Sequence, residues 1–152
     1  MHAIRKRKIR NAHKEINKLV NRLSPGSDLV EFGKLEHWAG AEYYLPGVDL
    51  SDFDAVKEAL KNFTGDCDDY ASLKRDLLRH LFPQDKEAFV YITCWIHPNK
   101  APGTYHCVLG VNIEGKIYIL DNLYPVPSRI DEVKYIWHKI ENGGKFNLFS
   151  VD

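Results

Sequence analysis

Cys67 stands in the run Thr64-Gly65-Asp66-Cys67-Asp68-Asp69-Tyr70-Ala71. Asp66 suits a helix N-cap, and Asp69, three residues on, gives a capping-box-like pattern, so a helix is expected to begin at Cys67. In the first turn of a helix the amide N–H groups have no intrahelical partner, and the dipole favours negative charge. A thiolate is such a charge, so the placement suits an activated nucleophile. The same N–H groups could serve an oxyanion. The flanking acids oppose this, because like charge beside a thiol raises its pKa. A buried, inert cysteine is the plain alternative for a free thiol.

A nucleophile needs a base, and the base needs an orienting group. His106 opens one strand-like run and Asp121 closes the next. A two-residue turn at Glu114-Gly115 would pair Ile113 with Lys116, set Val108 opposite Asp121, and set His106 opposite Leu123. Side chains alternate along a strand, so His106 and Asp121 would then share a face as diagonal neighbours, within reach of each other. Val108, Gly110, Ile117, Ile119 and Leu123 complete that face, which is expected to pack on the Cys67 helix, with Gly110 leaving room.

The elements that must position these groups follow from periodicity. Ile9, Ala12, Ile16, Leu19, Val20 and Leu23 recur at helical spacing over residues 4–23, ended by Ser24-Pro25-Gly26. Residues 24–51 read as loop, anchored by Trp38, Tyr43, Tyr44 and Leu45. Core anchoring is the plain role for Trp38 and Tyr43; lining a substrate groove is the other. Ser51 is expected to cap a short helix through about Asn62. Tyr70, Leu73, Leu77, Leu78 and Leu81 give the Cys67 helix its apolar face, and Pro83 stops it. The period then changes to two: 89–96, 106–113, 116–123 and 145–151 read as strands. Residues 131–140 read as a further helix. Helices first and a mostly antiparallel sheet afterwards make an α+β fold.

Composition bounds the rest. The chain has 152 residues, enough for one domain with a real core, and a 44% hydrophobic share argues against disorder. No apolar run is long enough to span a membrane. Three cysteines, an odd count without a CxxC pair, are no disulfide framework. The basic N-terminus leads into no apolar stretch, so a cytoplasmic location without a signal peptide is expected. The net charge of zero hides a split: residues 1–22 carry eight basic residues and one acid, a surplus of +7 against −7 for the remainder. That helix could be a solvated docked face, or could bind nucleic acid or an acidic partner. The expected organisation is a peripheral basic helix at 1–23 and a domain at 24–152.

Three blocks in order carry a resemblance: Gly65-Asp66-Cys67-Asp68-Asp69-Tyr70-Ala71, His106-Cys107-Val108-Leu109 and Leu120-Asp121-Asn122-Leu123. Over roughly residues 60–124 the chain resembles the bacterial transglutaminase-like cysteine proteinases of LapG type, with their GDC(E/D)DYA, HAVL and LDNL pattern. The resemblance implies a papain-like/transglutaminase-like α+β fold. It also implies a triad of Cys67 as nucleophile, His106 as base and later acid, and Asp121 as orienter. Family members bind calcium through acids flanking the cysteine, which correspond to Asp66, Asp68 and Asp69. A Ca²⁺ ion there would neutralise the carboxylates that oppose the thiolate, while simple N-terminal capping suits the same three residues equally well. The second block departs from the family at Cys107, on the face opposite to His106.

Together these readings point to a cysteine protease or amidase acting on a protein or peptide substrate, without integral membrane contact. Transglutaminase-type transfer to an amine shares the first half-reaction. A non-catalytic binding module using the basic helix is the alternative of another class. A small chain without a leader is a form that a phage or mobile element could carry.

Overall fold

The computed structural model describes residues 2–19, 45–61, 67–124 and 126–151. Asp66, Trp38, Tyr43, Tyr44, Asn62 and the expected helix end at Ser24-Pro25-Gly26 lie outside these residues.

Among the described residues, three helices precede the sheet. The first, α1 (His2–Leu19), buries Ile9 and Ile16 and exposes Lys6, Arg7, Lys8 and Arg10. The second, α2 (Phe53–Ala59), is capped by Asp52, whose carboxylate accepts from the Ala55 amide at 3.1 Å. The expected cap, Ser51, instead donates its hydroxyl to Asp49. Asp52 wins because its side chain stands three residues before an open amide, the geometry an N-cap requires. The third, α3 (Cys67–Leu81), begins at Cys67 as its signals require and ends before Pro83. Leu81, in its last turn, is exposed rather than part of the apolar face. A short 3₁₀ stretch, Pro83–Ala88, leads into the sheet.

The sheet has six antiparallel strands: β1 (Phe89–Trp95), β2 (Tyr105–Ile113), β3 (Lys116–Leu120), β4 (Ser128–Arg129), β5 (Ile136–Asn142) and β6 (Lys145–Leu148), in the order β4-β3-β2-β1-β5-β6. Glu114 and Gly115 both take positive φ, 55° and 81°, as a type I′ hairpin turn demands. Ile113 therefore pairs with Lys116 in the expected register, which runs to Leu109 opposite Leu120. There β3 stops, three residues before the expected Leu123. The Asp121 carboxylate captures the Leu123 amide at 3.1 Å and so replaces a strand hydrogen bond with a local turn.

Both faces of the sheet are covered. On one, α3 packs Cys67, Leu73, Leu77 and Leu78 onto Cys107, Leu109, Val111 and Leu120. On the other, Ile92, Val108 and Ile119 meet Ile130, Val133, Tyr135 and Trp137. His106, Val108 and Gly110 alternate with the residues under α3, so the expectation that their face packs on the Cys67 helix is corrected. The chain after β4 fills that side. Residues 131–140, expected as a helix, are instead a 3₁₀ turn (Ile130–Glu132) and the start of β5. Ile130, Val133, Trp137 and Ile140 are spaced three to four apart and mimic a helical stripe, but pairing with β1 satisfies the backbone of the second half.

Gly110 leaves room for Ile92 rather than for α3: a Cβ there would sit 2.6 Å from Ile92 Cδ1. Gly110→Ala should destabilise the fold by about 1–3 kcal/mol. Ile92→Val, which removes the clashing methyl, should recover part of that loss in the double variant. Urea unfolding of the four proteins measures the coupling, and purely additive losses would show that the two sites do not share that space.

Candidate active site

Cys67 opens α3, in the turn whose amides point toward the positive end of the helix dipole. Its Sγ accepts from the Cys107 amide at 3.3 Å. The thiol is thus tied to the backbone of β2 at the residue that follows His106. His106 stands near the start of β2, and its Nε2 lies 2.8 Å from Asp121 Oδ1 just beyond the end of β3. Cys67 and His106 are wholly withdrawn from solvent, and Asp121 nearly so. His106 and Asp121 meet from a strand start and a strand end, while Cys67 reaches the β2 backbone from a helix start.

Asp121 is the most fully engaged group. Oδ1 accepts from His106 and from the Leu123 amide, and Oδ2 accepts from the Tyr135 hydroxyl at 2.5 Å. Burial alone would push its carboxyl pKa up; the charge of His106 and the hydrogen bonds from His106, Tyr135 and Leu123 outweigh it, and the pKa is lowered. Tyr135 also meets the His106 ring edge-on, 5.8 Å between centroids. Asp121 thereby pushes the Tyr135 hydroxyl pKa up further than burial does alone. Sequence reading missed Tyr135, because it lies in the segment taken for a helix.

With Nε2–H donating to Asp121, Nδ1 is the remaining ring nitrogen of His106. Nδ1 has no hydrogen-bond partner among the described residues. The other two cysteines are buried, with Cys94 Sγ donating to the His106 carbonyl at 3.7 Å. Burial pushes the thiol pKa of both Cys94 and Cys107 well up, which suits inert packing residues.

Of the three acids expected to flank the cysteine, Asp68 is buried and Asp69 half-buried in the first turn of α3; Asp66 is outside the described residues. Neighbouring helix positions do not face each other. Among the described residues no three His, Cys, Asp or Glu side chains converge as a metal cluster would need. The donor type still suits calcium, since carboxylate oxygens are its preferred ligands.

Asp121 carries a folded-state pKa below its ordinary value, so its contribution to stability is full at neutral pH and is lost as pH falls through that lowered value. The urea midpoint should therefore drop steeply below about pH 4. Asp121→Asn should cost about 3 kcal/mol at pH 7 and flatten this acid limb. Equal acid limbs in the two proteins would contradict the assignment.

A family profile described as a transglutaminase-like domain matches residues 10–147. Among solved structures, Legionella pneumophila LapG superposes with a TM-score of 0.56 at 17% identity, covering 92% of this chain and 68% of that one. Its calcium-bound form gives 0.55 at 17% identity over 90% and 67%. An EGTA-treated form gives 0.55 at 17% identity over 92% and 67%. At that identity the likeness is one of fold. No curated protein matches by sequence.

Proposed function

From the chain's membership of the transglutaminase-like domain family, we propose that it is a cysteine peptidase or amidase in which Cys67, His106 and Asp121 act as a triad on a protein or peptide substrate. The observation that carries this is the buried His106–Asp121 hydrogen bond, together with a buried cysteine at a helix start whose Sγ accepts from the amide of the residue after His106. A folded protein has little structural reason to bury a histidine against a carboxylate.

In this reading Asp121 fixes the imidazole as the Nε2–H tautomer and steadies the imidazolium that forms. Nδ1 takes the proton from Cys67 Sγ. The Cys107 amide and the first turn of α3 stabilise the thiolate. Sγ then attacks the substrate carbonyl, the oxyanion faces the amides of the helix start, and His106 Nδ1–H protonates the leaving amine. His106 next takes a proton from water, which releases the acid product and restores the thiol. An amine in place of water would give a cross-link through the same thioester.

The likeness to a structure described as calcium-bound supports a metal in the proposal. Asp66, Asp68 and Asp69 would hold Ca²⁺, with further oxygens from elsewhere. The ion's contribution would be charge: it would offset the carboxylates that raise the thiol pKa.

Thiol reactivity tests the reading without a known substrate. Cys67 should react with iodoacetamide at least about tenfold faster than Cys94 or Cys107 in the folded protein, and His106→Ala should abolish that advantage. Equal labelling of the three would refute it. Chelation should slow Cys67 labelling and lower the thermal midpoint, and Ca²⁺ should restore both; metal-free protein unchanged in both would remove calcium from the proposal. Comparison of native lysates treated with wild type and Cys67→Ala, read for new termini and for cross-links, separates hydrolysis from transamidation.

A further inference from the structure

Between α1 and α3 lies a set of buried polar groups that the chemistry above does not use. Lys74, in the middle of α3, is wholly withdrawn from solvent. Its Nζ donates to the Leu120 carbonyl at 3.0 Å, lies 3.2 Å from His13 Nδ1, and sits 4.3 Å over the Tyr70 ring. Each direction open to the amine thus meets a partner. Burial pushes the Lys74 pKa well down, while the Asp121 charge works in the opposite sense.

His13, on α1, is equally buried. Burial, and then the charge of Lys74, lower its pKa to about 3, so the ring is neutral at ordinary pH. If Nδ1 accepts from Lys74, the ring proton is on Nε2, which then donates to the Tyr124 carbonyl at 3.1 Å. One turn on, Asn17 Nδ2 donates to the carbonyls of Asp121 at 3.2 Å and Tyr124 at 3.1 Å. Its Oδ1 accepts from the Tyr70 hydroxyl. Three side chains from two helices therefore end on the carbonyls of Leu120, Asp121 and Tyr124.

Those carbonyls belong to the turn that carries Asp121 out of β3. From one side the Asp121 carboxylate is held by His106, Tyr135 and the Leu123 amide. From the other its backbone is held by side chains of α1 and α3, beside the Tyr124 amide, which donates to the Asp121 carbonyl at 3.4 Å. An apolar side chain would fill the space of Lys74 at lower desolvation cost, so burial of an amine there points to a task other than packing. We propose that Lys74, His13 and Asn17 are positioning residues: they clamp the 120–124 turn by its carbonyls and so fix the carboxylate of Asp121 against His106. The basic helix α1 is in this way part of the machinery. The inference rests on the reading of Cys67, His106 and Asp121 as a triad.

Solution NMR tests the clamp directly. A histidine Nε2 proton donated to a buried carboxylate resonates far downfield and exchanges slowly with water. Wild type should show this proton for His106. Lys74→Met and Asn17→Leu should lose it or speed its exchange at least about tenfold, and should slow Cys67 alkylation by up to about a hundredfold, as small misplacements at an active site do. Leu60→Ala, a core truncation at the end of α2 that removes none of the clamp's hydrogen bonds, should lower the thermal midpoint yet leave the proton in place. If either clamp variant does not fold, His13→Gln and Asn17→Ser carry the same readouts. A downfield proton unchanged in the clamp variants overturns the proposal, and so does its loss in Leu60→Ala, which would reduce the network to general stability. Wild-type Cys67 that labels no faster than the other cysteines, with the proton still sensitive to the clamp, would instead sink the triad reading alone.

Discussion

A carboxylate taken out of water must find compensation nearby, or give up its charge. Asp121 is almost wholly buried at the point where β3 ends, and its surroundings are arranged around that cost. His106, Tyr135 and the Leu123 amide all donate to it. The Leu123 contact ends the strand, the Tyr135 contact draws in the chain that follows β4, and the His106 contact fixes the imidazole at the start of β2. Removing any one donor would leave buried polar groups unmatched, so the three elements are energetically coupled.

The sheet makes this burial possible by being covered twice. α3 lies against one face and brings Cys67 to the β2 backbone. The segment from Ile130 through Trp137 lies against the other and shields His106. Because alternate residues of β2 belong to opposite faces, the strand can hold Cys107 in the helix-side core while His106 faces Tyr135. The departure at Cys107 thus leaves the imidazole untouched. In the middle of α3, Arg75 reaches Glu141 at 2.9 Å and lies over Tyr91, tying the helix to β5 as well.

The charge split looks different in three dimensions. Basic residues of α1 do face solvent, but the same helix turns Ile9, His13, Ile16 and Asn17 inward. The family match begins at residue 10, inside this helix. Its inner face is half apolar and half polar, and the polar half ends on the turn that bears Asp121.

Much was written into the sequence by local rules. The start of α3 followed from its capping signals and apolar spacing, the hairpin from Glu114-Gly115, and the β2–β3 register from the turn length; each depends only on near neighbours in the chain. The juxtaposition of His106 and Asp121 was legible for the same reason, since fifteen residues and one turn connect them. What only the tertiary structure decided involves contacts distant in sequence. Which face of the sheet α3 would cover depends on what fills the other, and that was the segment whose spacing imitates a helix. Tyr135 joins His106 and Asp121 because β5 crosses to the far side of β1. Lys74 looks like an ordinary polar position of an amphipathic helix. Only the approach of α1, with a histidine and an asparagine one turn apart, turns it inward to the carbonyls beneath Asp121. Periodicity reports which residues leave water, but not which polar ones leave it together, because that depends on partners the chain supplies from far away.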